Sequence, residues 1–237
     1  ESGFQTQTNT AGTYGDFSID ANGNWSYDAD NSQTAIQSLG AGDTLTETFT
    51  ATSIDGTTET VTITITGTND VAVITGDVIG GVTEDNSATL TTSGVLTASD
   101  VDNAESGFQT QTNTAGTYGD FSIDANGNWS YDADNSQTAI QSLGTGDTLT
   151  ETFTATSIDG TTETITITIT GTNDIAVITG DVTGGVTEDN SATLTTSGSL
   201  VSNDTDTGES GFQTQTNTAG TYGDFSIDAN GNWSYDA

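Results

Sequence analysis

The run Thr164-Ile165-Thr166-Ile167-Thr168-Ile169-Thr170 alternates strictly, which puts three Ile on one face and Thr on the other. Period-two patterning in β-branched residues predicts a strand half-buried against a core. Leu149 to Thr156 alternates as well, and Ser157-Ile158-Asp159-Gly160-Thr161 between the two runs carries an Asp-Gly turn signal, so the pair predicts a hairpin. A second hairpin is expected from Phe121–Ile123 and Trp129–Tyr131 around Asp124-Ala125-Asn126-Gly127-Asn128. Further strands are expected at Val71–Asp77, Thr89–Thr97 and Gly107–Tyr118, about seven in all. The one helix signal is Asp134-Asn135-Ser136 as an N-cap, Ile140 and Leu143 three apart, and Gly144 as a stop. It predicts one or two turns crossing between sheets.

ESGFQTQTNTAGTYGDFSIDANGNWSYDA begins at Glu1, Glu105 and Glu209 without a change, so the 237-residue chain repeats with a period of 104. Residues 1–104 and 105–208 differ at 11 positions, seven of them between Val95 and Ala104. A unit of this size is a domain rather than a solenoid coil. Seven short strands per unit with frequent turn signals predict an all-β chain of tandem immunoglobulin-like β-sandwich domains, each with one short helix. The expected core is Tyr118, Phe121, Ile123, Trp129, Tyr131, Leu143, Phe153, Ile158, Ile165, Ile167, Ile169 and Leu90. The sequence has no initiator Met, no charged-then-apolar leader and no apolar run of membrane-spanning length. It therefore reads as an internal piece of something longer.

Charge changes the picture most. The chain holds 34 Asp and Glu and no Lys, Arg or His, for a formal charge of −34, and it has no Cys, Met or Pro. This excludes a basic surface for nucleic acid or anionic lipid, a P-loop Lys, a His general base and a Cys nucleophile. No enzyme is expected, because paired carboxylates in loops without a pocket-forming insertion do not make a glycosidase. With no protein cation to answer the charge, an external divalent metal is the expected counterion.

The sequence from Val82-Thr83-Glu84-Asp85 through Gly94-Val95-Leu96, Asp100-Val101-Asp102, Tyr118-Gly119, Gly127-Asn128-Trp129-Ser130-Tyr131, Leu143, Asp159-Gly160 and Ile167-Thr168-Ile169-Thr170-Gly171-Thr172-Asn173-Asp174 resembles the VCBS repeat. That family occurs as tandem cadherin-like domains in very large bacterial RTX adhesins. The resemblance covers the whole 104-residue unit. It implies a frame that starts after each Thr-Asn-Asp: a partial domain at 1–70 without its first strands, a complete one at 71–174, and a partial one at 175–237 without its last strands.

In an immunoglobulin-like topology the loops sort to two ends of the sandwich. One end of the middle unit collects the incoming linker Asn69 and Asp70, the loop pair Asp100 and Asp102, and Asp159. The other collects Glu84, Asp85 and the outgoing linker Asn173 and Asp174, met by Asp204 and Asp206 of the next unit. Glu188 and Asp189 are the third unit's copies of Glu84 and Asp85. Asp-x-Asp beside an Asn-Asp linker supplies the clustered oxygens a hard cation needs, and Ca²⁺ takes six to eight. Ca²⁺ is thus the expected cofactor, with these thirteen residues as candidate ligands. Glu151, and its copy Glu47, is a weaker candidate.

Asp124 to Asn128 suits a hairpin turn better than an EF-hand loop, since its Gly is one place early and no Glu closes the loop. The expected function is that of calcium-stiffened extender repeats in a secreted or cell-surface bacterial adhesin, for adhesion or biofilm formation. The partners are calcium ions and neighbouring repeats, with no nucleic acid and no direct membrane contact. Two alternatives stand beside it: a filament, surface-layer or matrix subunit assembling with identical chains, and a glycan-binding module using Trp25, Trp129 and Trp233.

Overall fold

The computed structural model describes residues 2–189 and 192–237. In the first repeat lie β1 (Gln7–Ala11), β2 (Gly15–Ile19), β3 (Trp25–Ala29), the one-turn helix α1 (Thr34–Gln37), β4 (Thr44–Thr52) and β5 (Thr58–Thr66). The stretch after Asp70 adds β6 (Val73–Gly76), β7 (Ile79–Thr83), β8 (Thr89–Ser99), β9 (Gln111–Ala115), β10 (Gly119–Ile123), β11 (Asn128–Asp134), α2 (Thr138–Gln141), β12 (Thr148–Thr156) and β13 (Thr162–Thr170). After Asp174 come β14 (Val177–Gly180), β15 (Thr195–Asn203), β16 (Gln215–Ala219), β17 (Asp224–Ile227) and β18 (Asn232–Asp236). Among the described residues the chain is all-β apart from the two short helices. Among the described residues, no helix is long and apolar enough to cross a membrane.

Residues 73–170 form two sheets, one ordered β6-β8-β11-β10-β9 and one ordered β12-β13-β7. The alternation of β13 does what its sequence predicts. Ile165, Ile167 and Ile169 are fully buried against Phe121, Trp129 and Tyr131 of the opposite sheet. Burial of each Ile is worth about 1.5–3 kcal/mol. Phe121 stacks on Phe153 across the sheets with ring centroids 4.9 Å apart. The β12–β13 hairpin closes on Asp159-Gly160, with Thr156 opposite Thr162 and Gly160 at φ 93°.

Three expectations need correction. The unit has eight strands, because Ile79-Gly80-Gly81-Val82-Thr83 pairs in parallel with β13; two adjacent glycines argue against a strand on propensity alone. Ile158 is exposed rather than core, since it sits at the hairpin's end over Gly107. Asp134 does not cap the helix. Its carboxylate accepts the N–H and hydroxyl of Ser136, and Gln137 stands at the N-cap with no side-chain cap bond.

Gly80 of β7 and Gly94 of β8 make room for an indole. A Cβ at Gly80 would come 2.9 Å from Trp129 Cη2, and one at Gly94 would come 2.5 Å from Trp129 Cζ2. Trp129 is 2% exposed and donates Nε1–H to the Asp77 carbonyl at 2.8 Å. Gly94→Ala is therefore expected to overpack the core and destabilise the chain by about 1–3 kcal/mol, read as a lower urea midpoint at unchanged slope.

The flanking repeats hold parts of the same plan. Residues 2–70 form the sheets β1-β2-β3 and β4-β5, and residues 175–237 form the single sheet β14-β15-β18-β17-β16. Trp25 is accordingly 53% exposed, where its counterpart Trp129 is buried. A buried Trp129 on the inner face gives the middle repeat no indole platform for a glycan.

Candidate metal centre

The acidic residues gather where one repeat meets the next. At the first junction the linker N–H of Asp70 donates to Asp102 Oδ2 at 2.8 Å, and the N–H of Asp102 donates to Asp100 Oδ1 at 2.8 Å. Asp100 in turn is held by its own N–H on Ser106 Oγ at 3.1 Å. Asn69 folds its amide onto the Asp70 carbonyl. Asp159 reaches the same linker from the β12–β13 turn, its Oδ2 accepting from Ala72 N–H at 2.9 Å. Burial works to raise the Asp159 pKa, but hydrogen bonds from Ala72, Ser157 and Thr161 outweigh it and hold the group well below the usual carboxylate range.

The second junction repeats the arrangement. Asp174 N–H donates to Asp206 Oδ2 at 2.9 Å, Asp206 N–H donates to Asp204 Oδ1 at 2.9 Å, and Asn173 folds onto the Asp174 carbonyl. Glu84 joins here from the end of β7, accepting Thr172 N–H on Oε1 at 2.6 Å. The parallel pairing of β7 with β13 is what carries Glu84 to the linker that follows β13. Desolvation raises the Glu84 pKa, opposed by the Thr172 hydrogen bond and reinforced by the charges of Asp85, Asp174 and Asp206. Asp85 itself turns towards its own repeat, where Gln141 and Asn135 donate to it.

Four carboxylate oxygens in these two places are buried without a hydrogen-bond partner: Glu84 Oε2, Asp100 Oδ2, Asp102 Oδ1 and Asp206 Oδ1. Glu84, Asp102 and Asp206 are each no more than 3% exposed. A buried ionised oxygen without a donor costs several kcal/mol, and the chain holds no side-chain cation to answer it. An oxygen-seeking divalent cation fits this donor set. Among the described residues, no three acidic side chains converge as a preformed metal site. The remaining oxygens of a six- to eight-fold shell would come from Asn69 or Asn173, backbone carbonyls and water.

Two glutamates stand at the junctions that the motifs do not mark. A Cβ on Gly40 would lie 2.6 Å from Glu105 Oε1, and one on Gly144 would lie 2.7 Å from Glu209 Oε1. Each glutamate thus rests against the loop after the preceding repeat's helix. Backbone bonds from Asn103 N–H to Ser38 O (3.1 Å) and from Thr207 N–H to Ser142 O (3.0 Å) fasten the same turn across the junction. Desolvation and then the charges of Asp102, Asp100, Asp159 and Asp43 raise the Glu105 pKa. The spacing of three residues after Asp-x-Asp was the available signal.

Glu188 and Asp189 are exposed and lie in a turn. Glu151 is committed to its own fold: Thr117 N–H donates to it at 2.7 Å, Tyr118 N–H at 3.3 Å, and the Tyr131 hydroxyl bonds its other oxygen.

Residues 69–171 match the family model of the bacterial cadherin-like domain. The flanking residues repeat nearly the same sequence. No curated protein sequence matches the chain. Among solved structures, the chain is similar to the protocadherin gamma B4 extracellular domain, at 13% identity and TM-score 0.43 over 99% of this chain and 37% of that one. It is also similar to the human desmocollin-1 ectodomain, at 14% identity and TM-score 0.35 over 93% of this chain and 43% of that one. A third is a Ca²⁺-stabilised adhesin that helps an Antarctic bacterium reach out and bind ice, at 22% identity and TM-score 0.26 over 100% of this chain and 57% of that one. The chain spans less than two thirds of each of these. All three TM-scores are low, and the class of the middle repeat rests on the family match and on its own sheets.

Proposed function

We propose that the chain is a run of extender repeats from a secreted, surface-attached bacterial adhesin of the RTX type, used in cell adhesion or biofilm formation and stiffened by calcium at the joints between domains. The domain frame is 1–70, 71–174 and 175–237. The observation that carries the reading is the set of buried, partnerless carboxylate oxygens beside each Asn-Asp linker. The match to a bacterial cadherin-like domain supports it.

At the second junction the ligands are Glu84 from one repeat, Asn173 and Asp174 from the linker, and Asp204 and Asp206 from the next. At the first they are Asn69, Asp70, Asp100, Asp102 and Asp159. When bound, calcium supplies positive charge and a fixed coordination shell. The protein's own part is to deliver carboxylates from two domains to one place. Because these groups do not converge in advance, binding requires them to close in, and that closure fixes the angle between repeats. Extracellular calcium modules bind at about 10⁻⁴–10⁻³ M, so the joints stay loose in a low-calcium cytosol and set outside the cell.

Small-angle scattering of the chain in EGTA and in millimolar calcium tests this. Calcium is expected to lengthen the maximum dimension and narrow its distribution at unchanged mass. Asp206→Asn should weaken the response at the second junction only. A profile indifferent to calcium would refute the extender mechanism.

A further inference from the structure

The chain enters and leaves the middle repeat on strands that lie side by side. Coming from Asp70 it passes β6 and then β7, and it leaves towards Asp174 from the end of β13. β7 and β13 pair in parallel, from Ile79 opposite Thr166 to Thr83 opposite Thr170. Backbone bonds extend that ladder at both ends. Thr166 N–H donates to the Val78 carbonyl at 2.9 Å, and Glu84 N–H donates to the Thr170 carbonyl at 3.0 Å. The Glu84 carboxylate then holds Thr172 N–H, one residue before the Asn-Asp linker.

This pairing fixes how tension acts on the repeat. A pull on the incoming linker draws β7 towards its N-terminal end, and a pull on the outgoing linker draws β13 towards its C-terminal end. Because the two strands run the same way, the pulls oppose each other along one axis and shear all the bonds between them at once. The evenly spaced bonds of a parallel pair share that force. Bonds at the end of a hairpin, by contrast, are peeled one at a time.

The surroundings of β7 resist sliding as well. Val82 is buried, and a Cβ on Gly80 would lie 2.7 Å from Ile167 Cδ1 and 2.9 Å from Trp129 Cη2. A shift of β7 along β13 would drive a bulkier residue into that place. Just before β7, Asp77 is pinned to the other sheet. Its N–H donates to the Val95 carbonyl at 2.9 Å, its Oδ2 accepts Val95 N–H at 3.0 Å, and its carbonyl accepts Trp129 Nε1–H at 2.8 Å. The entering segment is thus fastened to both sheets.

We infer that the β7–β13 pair is a mechanical clamp, which makes the repeat resist tension through its two linkers far better than tension that peels β7 from β13. The inference rests on the extender reading only for its use, in a chain held taut between a surface and what it adheres to. The clamp itself needs no calcium, and its test is run in EGTA.

The chain has no Cys, so introduced cysteines are unique handles for single-molecule pulling on the full chain. Val71→Cys with Ile175→Cys, both at exposed positions, pulls through the linkers and leaves the flanking repeats outside the tensioned span. Asn86→Cys with Ile175→Cys, again exposed, pulls β7 and β13 from neighbouring ends and peels them. At one loading rate the first pair should unfold at a several-fold higher force than the second, since forced unfolding follows the unfolding barrier. Glu84 N–H faces β13, so by two-residue alternation Val82 N–H does too, while Thr83 N–H turns to the open edge of β7. Val82→Pro added to the Val71 and Ile175 handles should therefore lower the force markedly, and Thr83→Pro should not. Should Val82→Pro not fold, the comparison of pulling directions decides by itself, because it leaves the clamp unaltered. Equal forces in the two directions, or a drop with Thr83→Pro as large as with Val82→Pro, would overturn the inference.

Discussion

Excess EGTA should lower the melting temperature of this chain by well over 10 °C relative to about 10 mM calcium. Each ion that binds only the folded arrangement adds about 2.7 kcal/mol at a hundredfold excess over its dissociation constant. A domain of 60–100 residues gains about 4–8 °C per kcal/mol, so a single occupied site suffices. The sign is set by the charge distribution. The compact chain carries −34 with no internal cation, and self-repulsion favours expansion. Sodium chloride at matched ionic strength should recover only part of the loss, because screening reaches exposed carboxylates far better than the buried oxygens of Glu84, Asp102 and Asp206. Superposable calorimetric traces in calcium and in EGTA would end the metal reading.

The strands that bury Ile on one face and expose Thr on the other were legible, because period-two alternation in β-branched residues has no competing helical reading. The hairpin at Asp159-Gly160 was legible for the same local reason. What escaped was β7. Gly80 is there because Trp129 and Ile167 occupy the space a Cβ would need, and partners so far along the chain leave no local mark. The helix cap was misassigned for a related reason: Asp134 closes a turn with Ser136 just before the helix begins, and turn and cap use the same residue types. At the junctions, Asp-x-Asp and Asn-Asp were visible as motifs. Glu105 and Glu209 were not, since their place beside Gly40 and Gly144 depends on how one repeat meets the next.

Replacing Glu84 with Gln should change stability in opposite directions with and without calcium. In the folded chain Glu84 is 2% exposed, one oxygen accepts the Thr172 N–H, and the other has no donor. Desolvation raises its pKa above the unfolded value. For an acid shifted that way the ionised form is the one the fold disfavours. Stability in EGTA is therefore lost as pH rises through the folded pKa, and regained as pH falls towards the ordinary carboxylate value of about 4.3. Glu84→Gln keeps an acceptor for Thr172 and removes the charge, so in EGTA at neutral pH the variant should melt several degrees higher, consistent with about 1–3 kcal/mol for an unsatisfied buried group. The advantage should shrink on acidification, because the unaltered chain then takes up the proton that Gln makes unnecessary. In calcium the order should reverse, since the variant lacks the carboxylate proposed to share an ion with the next repeat's Asp206. A variant that melts lower in both conditions would make Glu84 an acceptor for the linker backbone and nothing more; one that melts higher in both would remove it from the metal site.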